Sequence, residues 1–215
     1  RGQNRPAVTE PIDAVYAASD LPPDDIFRQF PGAPSADSIL DKYVQALGGA
    51  QRVNALTSIA ATGKSTFFGG FGGEGAVAFY AKAPDQRATI ISYKDAPGRG
   101  DSSRLYNGRE GWIRTPLSVL GQYALSGSEL AGARLDAQLT FPGQIKKVLT
   151  NLRVGEPVTA NGKDVQVIQG DGPDGVVASL HFDEKTGLLV RTIRYGRSPI
   201  GRISTQVDYD DYRDV

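Results

Sequence analysis

Between Val158 and Tyr212, short runs of β-forming residues follow one another, and the residues between them are suited to tight reversal. The runs are Val158-Thr159-Ala160, Asp164 to Gln169, Val176 to Asp183 and Leu188 to Tyr195, with Arg202 to Tyr212 returning once more. Asn161-Gly162 closes the first pair, because both residues tolerate the positive φ of a type I′ turn. Asp171 to Gly175 and Glu184 to Gly187 close the next two, each ending in a glycine able to take the left-handed position. Reversals this short connect only antiparallel neighbours, so this stretch is read as a meander.

The same pattern precedes it. Ser58 to Phe68, Gly75 to Ala83, Arg87 to Lys94, Ser103 to Asn107 and Gly111 to Thr115 read as strands, with Asn107-Gly108 as a hairpin turn. In the second of these, Val77, Phe79 and Ala81 alternate with Ala78, Tyr80 and Lys82, as in a sheet with one dry face and one wetter face. Ser35 to Leu47 reads as the longest helix: Ser35 is its N-cap, Asp37 suits the dipole, and Ile39, Leu40, Tyr43, Val44 and Leu47 share a face. Gly48-Gly49 ends it, and Ala50 to Leu56 adds a short turn. From Pro116 to Asn151 the spacing becomes helical but is interrupted by Gly121, Gly127 and Gly132, which predicts two or three short helices, the last over Gly143 to Leu149 behind Pro142.

Residues 1–34 hold six of the thirteen prolines and few periodic apolar residues. Proline removes a backbone donor, so this segment is an arm outside any sheet interior, either a flexible linker or a strap docked through Ile26, Phe27 and Phe30 on a helical turn within Asp24 to Phe30. The expected fold is therefore α+β: residues 35–215 form a single strongly curved antiparallel ribbon, an incomplete barrel, with the long N-terminal helix and the helical insert covering its concave face.

Composition excludes several functions. The 24 Lys+Arg balance 24 Asp+Glu, which leaves no global electrostatic case for nucleic acid or an anionic membrane. The absence of cysteine removes thiolate nucleophiles, cysteine zinc sites and Cys-x-x-Cys-His haem attachment within these residues. No apolar run approaches the roughly 18 residues of a membrane span. The chain starts at Arg1 and contains no Met, which is read as a processed or fragment boundary.

The chemical motifs are weak. Thr62-Gly63-Lys64-Ser65-Thr66 resembles the end of a phosphate-binding loop, but Ser58 stands where that motif needs glycine and the segment lies in a strand. Gly69 to Gly75 is glycine-rich yet joins two strands and opens no helix. His181 is the single histidine and is expected as a surface strand residue, without partners for a metal site or a catalytic triad. Asp208, Asp210, Asp211 and Asp214 lack the glycine and glutamate of a calcium loop. Trp112, Tyr80, Tyr93, Phe67 and Phe79 either line an apolar cavity or make plain core. No acid-base or nucleophile constellation stands out, and the expectation is a chain that is not an enzyme.

Ser38 to Gly49, followed by Ile59-Ala60-Ala61-Thr62-Gly63, resembles the opening of domains related to the bacterial outer-membrane lipoprotein carriers, the LolA/LolB-like group. Asn107 to Trp112, Phe182 to Arg191 and Tyr209 to Arg213 are similar to later signposts of that group. The resemblance implies a half-barrel with a helical lid over an apolar cavity, a cell-envelope or periplasmic location, and binding of acyl or other apolar ligands without catalysis. For such a cavity the expected lining is Phe67, Val77, Phe79, Ile91, Tyr93 and Trp112.

Arg1 to Pro6 resembles the stretch after the last haem motif in acidobacterial proteins related to the cytochrome subunit of photosynthetic reaction centres. That likeness implies a rival function: the C-terminal structural or interaction portion of a multihaem c-type cytochrome, partnered with a cytochrome or membrane complex. Any haem c would then be bound upstream, since these residues imply no cofactor of their own.

Overall fold

The computed structural model describes residues 26–66, 74–93, 100–116, 120–198 and 201–213. Helix α1 (Ala36–Ala46) begins where Ser35 Oγ accepts the backbone N–H of Ser38 at 3.1 Å, and buries Ile39, Leu40 and Tyr43. The short α2 (Ala50–Asn54) follows the positive-φ pair Gly48-Gly49. Six strands then run in chain order as one antiparallel sheet: β1 (Ser58–Ser65), β2 (Gly75–Lys82), β3 (Gln86–Ser92), β4 (Ser102–Tyr106), β5 (Gly111–Arg114) and β6 (Gln122–Ala124). Helix α3 (Gly127–Leu139) comes next, then a 3-10 turn (Pro142–Gln144) and α4 (Ile145–Val148).

A second antiparallel sheet contains β7 (Thr150–Val154), β8 (Val158–Ala160), β9 (Lys163–Asp171), β10 (Val177–Asp183), β11 (Leu189–Ser198) and β12 (Gly201–Asp208). Its order is β12-β11-β10-β9-β7, with β8 also paired to β9. The turns are those the residues require: Asn161 and Gly162 stand at φ 52° and 72°, and Gly187 at φ 76°.

The expected single ribbon is corrected here: the described strands form two hydrogen-bonded sheets rather than one. The cause lies in α3. Leu135, Ala131 and Leu139 join α1 and the inner face of the second sheet in one buried cluster, which also holds Ile168, Leu180 and Phe182. Ala133 and Ala137, on another side of the helix, pack with Tyr106 of the first sheet and with Leu125 just past β6. A helix apolar on more than one side needs more than one cover, and α3 lies against β11 as well as β3 and β4. The insert therefore wedges between the sheets instead of lidding a continuous one. The helical region holds the expected two or three short pieces, α3, the 3-10 turn and α4, the last behind Pro142. It departs from expectation in that α3 runs unbroken through Gly132 and Gln122–Ala124 is a strand.

Every residue of β10 is buried, so the second sheet is covered on both faces along its central strand. On its outer side, the N–H of Phe27 donates to Gln169 Oε1 at 2.9 Å and the N–H of Phe30 to the carbonyl of Val154 at 2.8 Å. Phe27 packs on Ala160, Val165, Val167 and Val190. Residues 26–30 are thus docked, but they form no helical turn and Ile26 is exposed.

Candidate functional site

Sheet register sorts the expected lining residues by face. Val77 pairs with Ile91, and Phe79 pairs with Thr89, which pairs with Arg104, which pairs with Ile113. Ala61, opposite Phe79, and Ile59, opposite Ala81, extend this face to the sheet edge. It is the face toward α3, because Arg87, on the same parity, reaches the carbonyl of Asp136. Val77, Phe79 and Ile91 are half-buried there, and Tyr93 is buried. Trp112 is not with them. It pairs with Leu105, which pairs with Ala88, which pairs with Tyr80, so it stands on the opposite face. Strand alternation demands this, since Trp112 is next to inward Ile113. Phe67 lies outside the described residues.

The half-buried strip of Ile59, Ala61, Val77, Phe79 and Ile91 belongs to none of the three buried clusters. It ends at a polar group that sequence reasoning missed. The Arg194 Nε donates to Asp136 Oδ1 at 2.7 Å, and its Nη2 donates to Thr205 Oγ1 at 3.2 Å. The Arg87 Nη1 donates to the Asp136 carbonyl at 3.1 Å and to Thr140 Oγ1 at 3.0 Å, while its guanidinium carbon sits 4.5 Å over the Phe79 ring. Arg104 joins them: its Nε is buried with no hydrogen-bond partner. Burial pulls the Arg104 pKa below its ordinary value; Asp136 opposes this, and Arg194 adds to it. Arg87, Thr89, Arg104, Tyr106, Ala133 and Asp136 line a cavity of about 20 Å³. Alternation places Arg87 and Arg104 inward, but their meeting with Arg194 across α3 had no signal in local sequence.

His181 is buried rather than at the surface, and both imidazole nitrogens lack hydrogen-bond partners. Burial, assisted by Arg191 and opposed by Asp208, lowers its pKa to about 4. Asp208 accepts from Arg191 Nε at 2.6 Å, and Asp211 pairs with Arg213, so these two carboxylates are engaged in ion pairs. Asp214 and Gly69 to Gly73 lie outside the described residues, and Thr62 to Ser65 are in strand β1. Among the described residues no three of His, Asp and Glu gather closely enough to hold a metal ion, and no helix is long and apolar enough to cross a membrane.

No protein-family model matches this chain, and no curated protein matches it. Solved structures do. A LolA superfamily protein, NE2245 from Nitrosomonas europaea, is similar at 16% identity and TM-score 0.43, over 85% of this chain and 80% of that one. A DUF1329 family protein from Desulfovibrio piger is similar at 13% identity and TM-score 0.40, over 76% of this chain and 75% of the other. A chain from the complex of the CwlD amidase with the GerS lipoprotein, from Clostridioides difficile, is similar at 12% identity and TM-score 0.32, over 86% of this chain and all of that one.

Proposed function

We propose that this chain is a non-enzymatic carrier-type domain of the cell envelope that holds an apolar, acyl-like ligand against the inner face of its first sheet. The observation that carries this reading is the contrast between the two inner faces. On the second sheet, Ile168, Leu180 and Phe182 are each at most 1% exposed and are sealed by α1 and α3. On the first, Ile59, Val77, Phe79 and Ile91 form an aliphatic and aromatic strip that the protein's own helices leave half-covered. Apolar surface left in water is unfavourable by about 25 cal/mol per Å², so a chain laid along that strip is stabilised by the area it covers.

The strip also suits a pliable ligand. It is lined by apolar side chains with polar groups gathered at one end, the usual distribution in a site that fixes orientation with few polar contacts. Organic extraction of the purified chain followed by mass spectrometry, with titration by dodecanol and dodecanoate, tests the reading. Recovery of acyl chains, or saturable binding of either probe, is the expected result. An extract empty of lipid together with no binding of either probe overturns it.

A further inference from the structure

The arginine cluster between the sheets carries a deeper inference, which rests on the carrier reading above. Three guanidinium groups, from Arg87 on β3, Arg104 on β4 and Arg194 on β11, converge on one side of α3. Among the described residues the carboxylate in direct contact with them is Asp136, and its Oδ1 accepts from Arg194. Arg87 reaches only neutral oxygens, the Asp136 carbonyl and the Thr140 and Thr89 hydroxyls. Arg104 has its Nε buried with no acceptor at all. Glu129 acts on Arg104 electrostatically but is exposed and accepts from the Tyr123 hydroxyl at 3.4 Å. Arg87 and Arg104 are half-buried, and a guanidinium donor withdrawn from water, as Arg104 Nε is, needs an acceptor and a counter-charge where positive charge exceeds negative.

The geometry points to a carboxylate as the missing group: we infer that the ligand is a carboxylate-headed acyl chain whose head enters the cavity beside Arg104 and Arg87. The cavity holds about 20 Å³, room for a water-sized group, since one probe sphere takes roughly 10–15 Å³. A single anionic oxygen inserted end-on fits that space, and a carboxylate is the smallest head group that presents one at the end of an acyl chain. Phe79 lies beneath the Arg87 guanidinium, so the apolar strip begins where the charge ends. From the Thr89 and Arg104 row to Tyr93 the strand advances about 13 Å, at roughly 3.3 Å per residue, past Val77 and Ile91. Head and tail thus have adjoining places on one face.

Calorimetric titration of the full chain with dodecanoate, dodecanol, dodecyltrimethylammonium and acetate tests this. Dodecanoate is expected to bind at least tenfold more tightly than dodecanol, with the cationic amphiphile weakest and acetate alone too weak to saturate. Arg104→Gln is expected to erase the preference for dodecanoate while retaining dodecanol binding, and Arg104→Lys to restore part of it. Equal affinity for dodecanoate and dodecanol in the unaltered protein overturns the head-group assignment but leaves the carrier reading standing. That comparison needs no variant, so misfolding of Arg104→Gln does not shield the proposal. Failure of all four probes overturns both, and saturable acetate binding without tighter dodecanoate binding shows an anion site unconnected to the strip.

Discussion

A Cβ added to Gly132 would come within 2.8 Å of the Cζ of Arg194, so helix and guanidinium are in contact at a position where an added methyl obliges the ion-paired arginine tip to shift. Gly132 is therefore not a helix breaker in this fold but the notch through which Arg194 reaches Asp136. Gly132→Ala should gain about 1 kcal/mol of helix propensity. It should lose about 1–3 kcal/mol to overpacking, besides disturbing the ion pair. The second effect wins, and a lowered urea midpoint is expected. A raised midpoint would mean that Arg194 has another resting place.

The ion pair between Asp136 and Arg194 is enclosed, with the arginine side chain 6% and the aspartate 24% exposed. Removing one partner of such a pair typically costs about 3–5 kcal/mol, because the other charge stays buried. Asp136→Ala should approach the lower end of that range, as Asp136 is partly solvated. The double variant Asp136→Leu with Arg194→Met should be less damaging than the sum of its parts, as read from thermal melts of all four proteins in one cycle.

His181 ties stability to pH. Its folded pKa of about 4 lies below the ordinary 6.5, so between those values the unfolded chain binds more protons. Stability is complete above pH 6.5 and declines as the pH falls toward 4, by on the order of 3 kcal/mol. Asp183 acts in a lower window. Burial pushes its pKa up, but the backbone N–H groups of Thr186 and Lys185 outweigh that and hold it below the ordinary carboxylate value. Its contribution is present above the unfolded carboxylate pKa and is lost only as the pH falls further. His181→Leu should flatten the urea midpoint between pH 6.5 and 4 and leave the more acidic loss in place. An unchanged slope in the upper window would contradict the buried, neutral imidazole.

Local signals were legible in the sequence wherever one or two residues decide the geometry. Ser35 caps α1, and Asn161-Gly162 and Gly187 turn where turn chemistry requires. The strand Val158–Ala160 has the bounds its residues imply. What escaped depends on partners distant in the chain. Gly132 looks like an interruption until Arg194 is placed over it. The short β6 owes its existence to pairing with Trp112 to Arg114 rather than to its own residues. His181 sits in a strand as expected, yet whether that strand is covered depends on both faces of the second sheet. The face of Trp112 was readable from alternation with Ile113, once its register was tied to Phe79 through β3 and β4.

Trp112, the only tryptophan, makes that last point measurable. It stands beside Leu105 on the face away from α3. Ligand held on the inner strip should leave its emission maximum unchanged at saturation. A blue shift that tracks binding would put the ligand on the outer face with Tyr80 and Leu105.

The two inner faces should also respond differently to truncation. Leu180, fully buried among Ile168, Leu135 and Ala178, has no solvent to replace its lost contacts, so Leu180→Ala should cost about 2–5 kcal/mol. Val77 and Ile91 are half-covered, and trimming either to alanine removes less buried area and opens no sealed void. Val77→Ala should cost about 1 kcal/mol and Ile91→Ala about 1–2 kcal/mol, both below Leu180→Ala, while weakening dodecanol binding several-fold. Chemical denaturation and calorimetry on the same three variants separate the effects. If the strip were core, Val77→Ala would lower stability and leave affinity among the folded molecules unchanged. If it is the binding surface, affinity falls while the denaturation midpoint moves less than in Leu180→Ala, because that side chain meets its principal contacts only when the ligand arrives.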